Sequence, residues 1–109
     1  MNLTIKPLES FTKSIKKLAK KYKNIAQDLK ELRNELLNNP KAGIELGNYC
    51  YKIRVANSSV PTGKSGGFRV VYYKKIEDTL YLMEIYSKSD MENITDEKIL
   101  EILKNNGLN

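Results

Sequence analysis

Apolar positions along the chain change their period several times, and the changes mark out its elements. Residues 2–7 (Asn-Leu-Thr-Ile-Lys-Pro) alternate polar and apolar as a short strand does, and Pro7, which has no N–H for a ladder, suits a sheet edge. Phe11, Ile15, Leu18 and Tyr22 then recur every three or four residues, which stacks them on one side of a helix that Ser10 would cap. Asn24 followed by Gln27 has the pattern of a capping box for a second helix with the stripe Ile25, Leu29, Leu32 and Leu36, stopped by Asn39-Pro40. The short connection predicts an antiparallel pair, each helix offering one apolar stripe to a sheet.

A loop containing Gly43 and Gly47 follows, and then the period becomes two. Tyr49, Tyr51, Ile53 and Val55 would face one way, and Cys50, Lys52, Arg54 and Ala56 the other. Further strands are expected from about Phe68 to Ile76 and from about Leu80 to Ser87, with Glu77-Asp78-Thr79 as the hairpin turn. The Ser/Gly/Pro-rich stretch 57–67 reads as a mobile connection. A last helix, about Asp96 to Lys104, is expected after Thr95 and before Asn105-Asn106-Gly107. The predicted fold class is α+β, with two N-terminal antiparallel helices packed on a mainly antiparallel sheet in the order β-α-α-β-β-β and a short C-terminal helix.

Composition narrows the functions open to such a domain. At 109 residues and 40% hydrophobic content, one compact domain over residues 1–109 is the expectation. No stretch approaches the roughly 18–20 apolar residues that a bilayer demands, and the N-terminus lacks the layout of a secretion signal, so a cytoplasmic protein without membrane partners is expected. One cysteine excludes an internal disulfide framework; the absence of histidine excludes a conventional zinc site and removes the commonest general base.

The net charge of +6 is unevenly spread: residues 1–39 carry +5, residues 40–88 carry +4, and residues 89–109 carry −3. Lys13, Lys16, Lys17, Lys20 and Lys21 fall outside the first helix's apolar stripe and give it a cationic outer surface. A basic body with an acidic tail suits a polyanion such as nucleic acid, although a soluble basic protein with no special partner has the same balance.

Two motifs bear on chemistry. Gly63-Lys64-Ser65 fails as a phosphate loop, because Ser58 stands where the leading glycine belongs and a strand, not a helix, follows. More informative is the basic set Lys52, Arg54, Lys64, Arg69 and Lys88, which pairing of three strands as a meander would gather at one end of one sheet face. The alternative is a plain solvent-facing coat of lysine and arginine. A gathered set could bind RNA phosphates, with arginine gripping two oxygens through its fork. It could also cleave RNA without a metal or other cofactor, given a base for the 2′-hydroxyl, donors for the five-coordinate transition state and an acid for the leaving 5′-oxygen. Tyr86, two residues before Lys88, is a further proton-handling candidate, whereas the other strand tyrosines read as packing.

The strings Tyr51-Lys52-Ile53-Arg54-Val55-Ala56, GKSGGFRVVYY (63–73) and Leu80–Lys88 resemble the RelE/ParE superfamily of bacterial toxins, within it the HigB-like branch. The lysine-rich first helix, the Asn-Asn-Pro stop and the acidic C-terminal helix extend the likeness over nearly the whole chain. The resemblance implies the toxin of a type II toxin–antitoxin system: a ribosome-dependent mRNA endoribonuclease acting on the 70S ribosome and silenced by a cognate antitoxin of helix-turn-helix type. It places catalytic positions at Lys52, Arg54 (where a second lysine is usual), Arg69, and Lys88 or Ser89. Lys64 matches a basic loop position of the HigB-like pattern, and Lys13, Lys16, Lys17 and Lys20 join it as candidate RNA- or ribosome-binding residues. The C-terminal tyrosine that RelE proper carries has no counterpart between Ser89 and Glu97, so its role is vacant or falls to Tyr86, and the histidine and aspartate of other branches are missing as well. Lys52 and Lys64 both stay open as the base. The competing readings are a ParE-like toxin that blocks DNA gyrase and a non-catalytic RNA-binding module.

Overall fold

The computed structural model describes residues 2–61, 63, 66–91 and 93–108. They form β1 (Thr4–Pro7), α1 (Glu9–Lys21), α2 (Ile25–Asn38), β2 (Ile44–Gly47), β3 (Cys50–Val55), β4 (Phe68–Tyr73), β5 (Thr79–Ser87) and α3 (Asp96–Asn105). The strands make one sheet in the order β1-β5-β4-β3-β2, antiparallel except where β1 runs parallel to β5. Pro7 accordingly sits in an edge strand. No helix among the described residues is long and apolar enough to cross a membrane.

Both faces of the sheet are covered, by different helices. Tyr51, Ile53, Val55, Phe68, Val70, Tyr72, Leu80 and Ile85 pack against Phe11, Leu18, Tyr22, Ile25, Leu32 and Leu36 from α1, α2 and their connection. The stripes foreseen for the two helices are therefore those they bury. On the opposite face Cys50, Val71, Tyr73, Met83 and Tyr86 pack against Ile94 and, from α3, Ile99, Ile102 and Leu103. This helix starts as its sequence suggests, Thr95 accepting a bond from the Lys98 N–H. It covers only part of its face: Lys52, on the same face, is half-buried and Arg54 is exposed.

Several local expectations are corrected. Residues 44–47 form a strand, not a loop, with a register shift between Glu45 and Gly47. Ser10 does not cap α1: Leu8 occupies the cap position without a side-chain bond, and the Ser10 hydroxyl donates to the Met83 carbonyl. Ser10 thereby satisfies a β5 carbonyl beyond the end of β1, where the edge would otherwise be open. Asn24 and Gln27 make no capping box; the Asn24 side chain reaches the Ser58 carbonyl, and Gln27 donates to Glu31. β4 stops at Tyr73, leaving Ile76 exposed. Tyr49 does not share the face of Tyr51; its backbone is left-handed at φ 64°, and its ring meets Tyr73 edge-on at 6.2 Å.

The connection after β3 is pinned where it begins. Both Asp28 carboxylate oxygens accept from the Ser58 N–H, at 3.2 and 3.1 Å, and the Asn24 N–H donates to Ser59 Oγ at 3.1 Å. Asn57 is buried and accepts from the Ser59 N–H. Those bonds overturn the mobile reading for residues 57–59.

A buried tyrosine fastens the approach to β2. Tyr72 stacks on Tyr51 at 5.3 Å and donates its hydroxyl to the Ala42 carbonyl. Burial pushes its phenol well above the ordinary range, so it remains a donor. Tyr72→Phe would leave that carbonyl without this donor and is expected to cost about 1–3 kcal/mol, read from the midpoint of urea unfolding.

Candidate active site

Register decides which charges meet. Arg54 lies directly opposite Arg69 across the β3–β4 ladder, and Arg69 lies directly opposite Tyr86 across β4–β5. Lys52, two residues before Arg54, opposes Val71 on the same face. Strand alternation thus collects Lys52, Arg54, Arg69 and Tyr86 on one side from three strands. The Lys88 N–H donates to the Gly67 carbonyl at 3.0 Å, prolonging the ladder and placing Lys88 one alternation beyond Tyr86.

Lys52, Arg54 and Arg69 line one open depression of about 650 Å³ together with Glu35, Gly43, Ile44 and Ile53. Gly43 is required at its rim: its φ is +99°, and a Cβ there would stand 2.3 Å from the Lys52 carbonyl oxygen. Arg69 is only 9% exposed, with Nη1 donating to the Phe68 carbonyl at 3.3 Å, whereas Arg54 is exposed and Lys52 half-buried. Two arginines paired across a ladder repel one another. Two guanidinium groups side by side, one exposed and one nearly buried, suit the binding of an anion.

Tyr86 is buried beside this group. Burial raises its phenol above the usual value, while the Ile94 backbone N–H and the Arg69 charge act the other way. Its hydroxyl therefore stays protonated at neutral pH and can donate a hydrogen bond or a proton. Cys50 has no such part: it is fully buried, and burial pushes its thiol up to about 11.

Other sequence-derived positions fall as follows. Lys13, Lys16, Lys17 and Lys20 are all exposed along α1, Lys13 paired with Glu9 at 3.1 Å. Lys64 lies outside the described residues. The Ser89 hydroxyl is shared with Ser87, at 2.9 Å, and Ser87 in turn meets the Tyr22 hydroxyl at 3.3 Å on the α1 side. Two contributors went unforeseen. Glu35 reaches the depression from α2. Asn93 accepts from Lys52 Nζ at 3.0 Å and from the Tyr86 hydroxyl at 3.4 Å. A lone asparagine in a polar loop carries no pattern, but Glu35 directly precedes the buried Leu36 of the α2 stripe, a neighbourhood that could have flagged it.

A family model described as the RelE toxin of the RelE / RelB toxin–antitoxin system matches residues 10–106. The chain belongs to the RelE toxin family. It is therefore the toxin of a type II toxin–antitoxin system; the family's members are ribosome-dependent endoribonucleases, and membership implies mRNA cleavage and a cognate antitoxin. Among solved structures, that of an arginine-to-alanine double mutant of the E. coli toxin RelE in the free state has a TM-score of 0.59 to the toxin at 21% identity, over 96% of this chain and 98% of that one. That likeness shows the fold. No curated protein matches the sequence.

Proposed function

We propose that the toxin, as a single domain, cleaves mRNA in the ribosomal decoding site with Lys52, Arg54, Arg69, Tyr86 and Lys88. The observation that carries the assignment is the Arg54–Arg69 cross-strand pair at the mouth of a depression that Lys52 also lines. Arg54 and Arg69 clamp the scissile phosphate and stabilise the charge that grows on its oxygens in the transition state. Lys52 or Lys64 takes the 2′-hydroxyl proton, and that oxygen then attacks the neighbouring phosphorus. Tyr86, protonated and on the same face, or Lys88 beyond it, supplies the proton for the departing 5′-oxygen. All these roles are filled by side chains, so the reaction needs no metal cofactor.

Within the family, the basic loop position at Lys64 favours the HigB-like branch. The partners that go with it are the 70S ribosome, reached partly through Lys13, Lys16, Lys17 and Lys20, and an antitoxin of helix-turn-helix type acting in the cytoplasm. An acidic segment of that antitoxin would neutralise Lys52, Arg69 and Lys88, or its bulk would bar the toxin from the ribosome.

Purified toxin added to ribosomes programmed with a defined message tests the proposal. The expected product is mRNA cut within the ribosome-bound codon, with free message intact. Uncut message together with blocked gyrase supercoiling would select the ParE-like reading. Salt-sensitive RNA binding without a product would select a binding module.

A further inference from the structure

We infer that Asn93 is a positioning residue that ties Lys52 and Tyr86 into one geometry through a single carbonyl oxygen. The inference rests on the site assigned above and adds to it a residue from outside the three strands. Asn93 Oδ1 accepts from Lys52 Nζ at 3.0 Å, from the Ile94 N–H at 3.1 Å and from the Tyr86 hydroxyl at 3.4 Å. Lys52 is on β3 and Tyr86 on β5, with β4 between them, so an acceptor bound to both spans β4 from above. Among the described residues, no other side chain is seen to join these two.

The segment that carries Asn93 is itself held. The N–H groups of Asp90 and Met91 both donate to the Ser87 carbonyl, at 3.0 and 3.1 Å, which closes a turn at the end of β5. Ile94 is buried in the same cluster as Tyr86, and Thr95 caps α3. With its neighbour Ile94 buried and bonded to it, the short Asn93 side chain can act as a stop. Lys52 needs one, because its four-carbon stem is flexible and a base misplaced by an ångström loses much of its effect.

The chemistry of the acceptor also fits. An amide oxygen receives hydrogen bonds without bringing a net charge, and it occupies only one of the lysine's N–H bonds, leaving the rest of the nitrogen to substrate. A carboxylate here would set a negative charge against Lys52 and next to Arg54 and Arg69, competing with the phosphate those cations receive.

Single-turnover cleavage on programmed ribosomes, together with ribosome affinity, tests this in the intact toxin. Asn93→Ala is expected to slow cleavage about 10- to 100-fold and to leave affinity within about twofold. In a Lys52→Ala background the same change is expected to slow cleavage by a smaller factor, since only the Tyr86 hydroxyl is then left for Asn93 to hold. Asn93→Asp keeps the oxygen but adds a charge that favours the ammonium form of Lys52 and competes with the phosphate, so it is expected to leave cleavage slow and to weaken binding of message. Should Asn93→Ala fail to fold, Asn93→Leu takes its place in the cycle. Unchanged cleavage by the Asn93 variant alongside an inactive Lys52→Ala protein overturns the inference alone. So does an equal slowing in both backgrounds, which marks a merely structural part. Full cleavage by Lys52→Ala removes Lys52 from the proposed site and overturns this inference with it.

Discussion

An Arg69→Ala toxin is expected to stay folded and to cleave ribosome-bound message roughly 10²–10³ times more slowly, a loss of about 2.7–4 kcal/mol of transition-state stabilisation. The argument starts from register: Arg69 stands between Arg54 on β3 and Tyr86 on β5, so its removal takes the central donor from the group. Truncation sacrifices the packing of a nearly buried stem, but it also relieves the repulsion from Arg54, and the two effects oppose each other in stability. A melting curve close to that of the parent, together with the rate loss, is the expected pair of results. Arg69→Lys restores the charge without the planar fork and is expected to recover only part of the rate. Cleavage at the parent rate by a folded Arg69→Ala protein would remove this residue from the site.

Gly67→Ala is expected to damage the fold itself, by about 3 kcal/mol and a drop of roughly 10–20 °C in the thermal midpoint. A Cβ at position 67 would stand 2.2 Å from the Val55 carbonyl oxygen, 3.0 Å from the Asn57 nitrogen and 3.2 Å from the Ala56 Cα. All three neighbours are backbone, so no side chain can swing aside. The ends of β3 and β4 must separate, and with them Arg54 and Arg69. The Gly67 carbonyl also receives the Lys88 N–H, so the disturbance reaches β5. Calorimetry of the variant checks this; an unchanged midpoint would mean that the two strands close less tightly here.

The helices and central strands could be read from the sequence because each buries one periodic stripe. β2 could not: all four of its residues are exposed, so alternation there reports no burial, and flanking glycines suggest a loop. Ser10 has the chemistry of a cap, but its hydroxyl serves a strand 73 positions away, a pairing that no local pattern encodes. The pinned start of the connection did leave a trace. Asp28 falls on the buried side of α2 between Ile25 and Leu32, and a buried carboxylate must be satisfied by something distant, here the Ser58 N–H. For the site, alternation and strand order placed Lys52, Arg54, Arg69 and Tyr86 together without coordinates. Asn93 depended on how one loop returns over β4, which is tertiary information.

The parallel seam between the first and fifth strands carries a consequence for how the chain matures. Thr4 finds its register partner in Thr79, far along the chain and beyond both long helices and three strands. Long-range closure of this kind is slow, and it must wait until the later partner has emerged. A nascent chain therefore holds β1 unpaired until β5 has emerged, and only then can β1 cover the outer edge of β5 and close the sheet.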